Sequence, residues 1–196
     1  MFYKKLDIDD FEKIQDKIVP YVVDFVTKDI KEAREKYSEQ VFFNFVLDDD
    51  LEKFKRDIPE LFECIRRELD SEITLMSFIY VTGADQIPIH SDSDNSLERR
   101  TRLNWPILNG ESAATIFYEK NSEDIPWVLH SYKSGVSGRG YNPEDCHEVD
   151  RYILDAPTLM NVKQIHGIEV LENKFPRILL TMRLSNEEEV YQKHFN

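Results

Sequence analysis

The chain has 196 residues, 41% apolar and 12% aromatic, enough to build a core and too rich in large apolar side chains for a disordered segment. Its 38 acidic and 25 basic residues give a formal charge of −13 and a pI near 4.8, which argues against nucleic-acid binding, because phosphate contacts need clustered Lys and Arg. Two cysteines are too few for a disulfide scaffold, no apolar run approaches membrane-spanning length, and Met1-Phe2-Tyr3-Lys4-Lys5 is followed at once by Asp7, Asp9 and Asp10, so we expect free thiols and a soluble, cytoplasmic protein.

Asp9 and Asp10 precede Phe11, Ile14, Ile18, Val22 and Phe25, which recur at helical spacing, while Pro20 is expected to kink the run or divide it into two short helices. Ile30 to Tyr37 is a charged helical stretch with a solvated face, and Val41 to Val46 is a candidate short strand. Asp48, Asp49 and Asp50 read as a cap for a helix from Leu51, since their consecutive spacing without glycine does not fit a calcium loop. Pro59 can open a further helix carrying Leu61, Phe62, Ile65 and Leu69.

From Glu72 the character changes. Ile73 to Val81 is β-branched and aromatic, Gly83-Ala84-Asp85 is a turn, and short strands are expected over 102–108, 114–119, 127–132, 151–154, 159–162, 169–171 and 177–184. Short strands punctuated by Pro and Gly suggest a sandwich or jelly roll, with helices from the first 70 residues buttressing one sheet. We expect one domain over 1–196: a helical buttress (1–70), a β core (71–185) and a tail (186–196) that is a short helix or a frayed end. Ser134 to Pro143 holds three of the six glycines and is a candidate lid or substrate loop.

The chemistry concentrates in Ile87-Pro88-Ile89-His90-Ser91-Asp92. His90 and Asp92 lie two apart, so extended backbone points both at one face, where an imidazole and a carboxylate can share a cation. His166, after a strand-like run, is the candidate third ligand. Two histidines and one carboxylate hold non-haem Fe(II) with coordination positions left open. His130, His147 and His194 lack comparably placed partners; His147, beside Cys146 and Glu148, is the rival ligand. Arg177 heads a strand on which 177, 179, 181 and 183 share a face, and a guanidinium inside a half-buried barrel is costly unless paired.

These residues carry a resemblance to the Fe(II)/2-oxoglutarate-dependent oxygenases, whose pattern is HxD, a distal His, and an Arg shortly beyond it. Here these are His90, Asp92, His166 and Arg177, within Ile73 to Ser185. The resemblance implies an α+β, mainly β fold, a double-stranded β-helix (jelly roll, cupin-like). It makes His90, Asp92 and His166 the iron ligands and Arg177 the clamp on the distal carboxylate of 2-oxoglutarate. Arg183 is the alternative clamp, because Arg183-Leu184-Ser185 matches an Arg-x-Ser variant, and Thr181 can add a hydroxyl contact. Arg102 and Asn104 alternate onto one face as candidate cosubstrate contacts, and Tyr80 and Tyr118 are candidate pocket residues. The related aspartyl/asparaginyl hydroxylase-like branch lacks the Asp of HxD, which this chain has in Asp92. Asn161 resembles an Asn found before the distal His in some phage and marine bacterial prolyl/aspartyl hydroxylase-like members. The implied activity couples oxidative decarboxylation of 2-oxoglutarate to hydroxylation of a small molecule or an amino-acid or peptide side chain. A non-catalytic jelly-roll binding module and a cupin-type metalloenzyme without 2-oxoglutarate are the alternatives; the sequence leaves substrate and oligomeric state open.

Overall fold

The computed structural model describes residues 1–25, 28, 30–36, 42–47, 51–83, 87–92, 100–131 and 137–196. Its frame is two antiparallel sheets. The larger has the order β1 (Tyr3–Lys5), β10 (Thr158–Asn161), β5 (Thr101–Leu108), β12 (Arg177–Leu184), β3 (Ile73–Val81) and β2 (Phe42–Val46). The smaller runs β4 (Ile87–His90), β11 (Ile165–Val170), β6 (Ala113–Lys120), β9 (Cys146–Ile153). A hairpin of β7 (Val128–Ser131) and β8 (Ser137–Gly140) reaches β4 through a bridge between Tyr141 and Ile89, whose carbonyl accepts the Tyr141 N–H at 2.7 Å. Five α-helices accompany the sheets among the described residues: α1 (Phe11–Phe25), α2 (Lys31–Lys36), α3 (Leu51–Asp57), α4 (Pro59–Leu69) and α5 (Glu187–Phe195). The architecture is a jelly roll with helices against one face of the larger sheet.

Strand alternation decides what each face of that sheet does. On β12, Ile178, Leu180 and Leu184 join a core with Ile14, Ile18, Leu61 and Ile65 of the helices, while Arg177, Leu179, Thr181 and Arg183 line a cavity on the other side. On β5, Leu103, Trp105 and Ile107 face the helices and Arg102 and Asn104 the cavity. On β3 the same split separates Met76, Phe78 and Tyr80 from Leu75, Ser77 and Ile79. Each large apolar side chain buried under the helices stabilises the fold by roughly 1.5–3 kcal/mol. A second apolar cluster, Phe117, Tyr152, Leu154, Met160, Val162 and Leu179, lies between the two sheets and lines or backs the cavity.

Several sequence expectations need correction. Helix α1 runs unbroken through Pro20, because that residue and Asp16, whose carbonyl loses its i+4 donor, both lie on the exposed face, where solvent can satisfy the freed acceptor. The first 70 residues are not only helical: the strand expected over 41–46 forms at Phe42–Val46 and pairs with β3, and an unexpected strand, Tyr3–Lys5, pairs with β10. Strand β9 begins at Cys146 and β11 at Ile165, both earlier than expected. The stretch expected to be a lid over 134–143 contributes Ser137–Gly140 to the hairpin, and the remainder of it up to residue 136 lies outside the described residues. Asp48 to Asp50, Ala84 and Asp85 lie outside them too. The tail resolves to a helix, α5, which buries Val190 and Phe195 in the helix-side core. Cys64 and Cys146 are buried free thiols. Among the described residues no helix is long and apolar enough to cross a membrane.

Candidate metal centre

His90 ends β4 directly opposite His166 on β11, and antiparallel partners in register hold their side chains close together on one face. Their ring centroids are 4.5 Å apart. The chain after β4 is then pinned to the exit of β10: Asp92 N–H donates to the Val162 carbonyl at 3.1 Å, and Ser91 Oγ to the Lys163 carbonyl at 3.0 Å. This places Asp92 Oδ1 3.3 Å from His90 Nε2. One ligand atom from each of His90, Asp92 and His166 fits within a mutual 4.8 Å, a spacing that one divalent cation can bridge, and this is the one such grouping of three among the described residues.

The centre's electrostatics suit that use. His166 is 6% exposed, and its Nδ1 lies 2.9 Å from the Gln164 carbonyl. A carbonyl can only accept, so it fixes the proton on Nδ1 and leaves Nε2 with a lone pair. Burial, then the charge of His90, push the His166 pKa down to about 4, against opposing pulls from Asp92 and Gln164, so the ring is neutral at physiological pH. Burial works to raise the Asp92 pKa, but the His90 hydrogen bond and the charges of His166, His90 and Arg102 outweigh it and bring it to about 2. The neutral His166 ring and the ionised Asp92 carboxylate, with the His90 imidazole beside them, make a donor set that a cation can use.

The centre opens on a cavity of about 340 Å³ between the sheets. On its wall stands Arg177, 4% exposed. Among the described residues no acidic side chain pairs with it and its Nε has no hydrogen-bond partner, while burial pushes its pKa down. A buried guanidinium without a counterion is destabilising by itself. Asn104 and Thr181 are cross-strand partners on β5 and β12 and line the same cavity.

Arg183 also lines the cavity but has a protein counterion: its Nε donates to Glu187 Oε1 at 2.8 Å. The same oxygen takes Arg102 Nη1 at 3.3 Å, and Glu187 Oε2 accepts the Arg100 N–H at 3.0 Å. Sequence reasoning missed Glu187. It stands in an acidic run that reads as solvated, yet its side chain is only 10% exposed because α5 folds back against β5. Tyr152 and Met160, also missed, line the cavity from β9 and β10.

Other named residues fall elsewhere. Tyr80 faces the helix-side core, one step out of phase with the cavity residues Ser77 and Ile79. Tyr118 is partly buried on β6 beside Gly167 and does not line the cavity. Asn161 Oδ1 accepts the Lys163 N–H at 3.1 Å and shapes the turn out of β10. His147 Nδ1 lies 3.0 Å from Asn121 Oδ1, away from the cluster of three, and His194 meets Lys4. The His130 side chain lies outside what is described.

No protein-family model matches the chain, and no curated protein matches it. Among solved structures it is similar to a Pseudomonas putida prolyl-4-hydroxylase, with a TM-score of 0.47, 10% identity, and 92% of this chain and 89% of that one covered. It is also similar to AviO1 from Streptomyces viridochromogenes Tue57, with a TM-score of 0.47, 12% identity and 92% and 88% coverage. A looser likeness is to vicilin from Capsicum annuum, with a TM-score of 0.30, 17% identity and 74% and 28% coverage.

Proposed function

We propose that this protein is an Fe(II)- and 2-oxoglutarate-dependent oxygenase that hydroxylates a small molecule or an amino-acid or peptide side chain. The observation that carries the reading is Arg177: a buried guanidinium without an acidic partner among the described residues, on the wall of the cavity that the three candidate ligands share. A dicarboxylate that reaches the metal with one end supplies the missing counterion with the other, through the planar fork that suits a carboxylate.

The residues divide the work. His90, Asp92 and His166 would hold iron and, being three, leave positions on it for other ligands. Gln164 orients the His166 ring through its carbonyl. Arg177 would bind the distal carboxylate, with Thr181 and Asn104 further along the same wall. Leu179, Val162 and Met160 keep the chamber apolar and limit water. Iron, when bound, supplies the oxygen chemistry that couples 2-oxoglutarate decarboxylation to hydroxylation.

The test is anaerobic titration of the apoprotein with Fe(II) and then 2-oxoglutarate, following the visible charge-transfer absorption of the chelate. The band is expected in the wild type and absent in His166→Ala. Arg177→Ala is expected to keep iron within a few-fold while weakening 2-oxoglutarate by about a hundredfold, the loss of a two-point charged hydrogen bond. Iron binding without a band would favour the cupin-type enzyme, and no iron binding the non-catalytic module. Equal weakening of iron and 2-oxoglutarate in Arg177→Ala would remove the clamp assignment.

A further inference from the structure

The described lining of the cavity divides by charge along the larger sheet. Its arginines, Arg102, Arg177 and Arg183, come from β5 and β12, and its carboxylate, Asp92, from the segment after β4. Strands β3 and β2, beyond β12 at the far edge of the sheet, contribute Leu75, Ser77, Ile79, Asn44 and Val46, none of which is ionisable. A dianionic cosubstrate belongs in the first half, with the metal and Arg177. The second half offers nothing to balance a charge, so an ion that entered it would lose hydration without gaining a partner.

Register gathers that second half into a pocket. Ser77 lies between Val46 on β2 and Thr181 on β12 as their direct cross-strand partner, and Ile79 faces Asn44 in the next row. Ser77 is 2% exposed, yet no hydrogen bond among the described residues engages its hydroxyl, and the same holds for the Thr181 hydroxyl beside it. A buried hydroxyl on a cavity wall, without a protein partner, is an unmet donor and acceptor. Leu75 and Ile79, two residues to either side of Ser77 on β3, flank it with branched apolar side chains. Val46 is 50% exposed, so a ligand can reach the pocket at the β2 edge. Apolar walls with a few placed hydrogen-bonding groups are the ordinary composition of a small-ligand pocket.

Resting on the oxygenase reading, we propose that this β2–β3 pocket binds the primary substrate and selects an uncharged one: a short aliphatic group bearing a carboxamide or hydroxyl, hydrogen-bonded by Ser77 and packed against Val46, Leu75 and Ile79. Ser77 is then a specificity-determining residue, and the charged half of the cavity keeps the metal and 2-oxoglutarate. Such a group can be carried by a free small molecule or by an amide side chain in a peptide.

Isobutyramide is the minimal probe, with isobutyrate and isobutylamine as its anionic and cationic counterparts. The protein is loaded with Zn(II), a diamagnetic substitute for Fe(II), saturated with 2-oxoglutarate, and titrated while the methyl resonances of Val46, Leu75 and Ile79 are followed by NMR. A saturable shift with a millimolar Kd is expected from isobutyramide, and binding about tenfold weaker from either ion. Ser77→Ala should weaken isobutyramide by about fivefold, the loss of one neutral hydrogen bond, with 2-oxoglutarate affinity unchanged. Val46→Trp, at a half-exposed strand position that tolerates an aromatic, should fill the pocket and abolish the shifts at Leu75 and Ile79. N-acetylglutamine methylamide separates the two carriers: binding as tight as that of isobutyramide points to a peptide side chain, and its exclusion to a free small molecule. If 2-oxoglutarate binds but isobutyramide gives no saturable shift, either ion binds as tightly, or Ser77→Ala binds the amide undiminished, the neutral pocket is overturned and the oxygenase reading stands. If isobutyramide and 2-oxoglutarate displace one another, the pocket belongs to the cosubstrate and the inference falls. Should 2-oxoglutarate not bind at all, the oxygenase reading fails, and the isobutyramide shift in the Zn(II) protein alone decides whether the pocket exists.

Discussion

At the scale of single residues, His166 couples folding to pH. Its pKa in the metal-free fold is about 4, below the 6.5 of an exposed imidazole. Between those values the unfolded chain takes up a proton that the folded one refuses, so stability falls as pH drops from 6.5 towards 4 and is unaffected by this group above 6.5. The difference corresponds to a loss on the order of 3 kcal/mol across that window. Asp92 acts in a separate window: its carboxyl, lowered from 3.8 to about 2, contributes stability above 3.8 that is lost as pH falls through 2. His194, whose pKa burial also lowers, adds to the first window, so the measurement is a difference. Urea unfolding of apoprotein at a series of pH values should show a shallower slope between 6.5 and 4 in His166→Gln than in wild type. An unchanged slope would mean that the buried ring does not titrate as its surroundings dictate.

Elements differ in how plainly the sequence announces them. Strand β12 matches its expected bounds of 177–184 because Pro176 marks its start and a run of aliphatic residues fills it. Strand β9 starts five residues before the expected 151; in its first half His147 and Glu148 are exposed and Asp150 is half-buried, and these three polar residues leave little in the composition to mark a strand until the pairing with β6 supplies the partner. The HxD and distal histidine were legible as a pattern, but their meeting across β4 and β11 is a fact of register. Tyr80 shows the limit of alternation: period two tells which residues share a face, not which face looks into the cavity. Helix α5 was the least legible element, because Glu187, Glu188 and Glu189 differ only in what the fold brings to them. Glu187 meets Arg183 and Arg102 in a half-buried cluster, whereas Glu188 pairs with Arg100 at a side-chain exposure of 51%. Glu187→Gln keeps the volume and removes the counterion, and should lower stability by about 1–3 kcal/mol, the upper end being tempered by the exposure of Arg183. Glu188→Gln should change it by less than about 0.5 kcal/mol. Urea unfolding of the two variants side by side separates them; equal effects would mean that burial by α5 does not set the strength of these pairs.

For the whole molecule, the larger sheet works as a partition. Its helix-side face belongs to a core assembled from residues as distant as Ile14 and Phe195, and its other face belongs to the cavity and the smaller sheet. Stability and ligand binding are therefore assigned to opposite sides of the same strands, and adjacent residues should report on different properties. Leu180, fully buried against the helices, and Leu179, 4% exposed on the cavity side, make the comparison on β12. Leu180→Ala leaves a void in close-packed surroundings and should lower stability by about 2–5 kcal/mol. Where the variant remains folded, its affinity for Mn(II) and 2-oxoglutarate should stay within about threefold of wild type, since the backbone of β12 is held on both sides by β3 and β5. Leu179→Ala enlarges a chamber that already exists, so it should cost less stability, while the wall it removes stands two residues from Arg177 on the same face and 2-oxoglutarate affinity should fall by about tenfold. Calorimetry of ligand binding beside urea unfolding, on both variants, reads the two quantities independently. If Leu180→Ala shifts ligand affinity as far as Leu179→Ala does, the sheet transmits core packing into the site, and the helices belong to the binding machinery as well as to the scaffold.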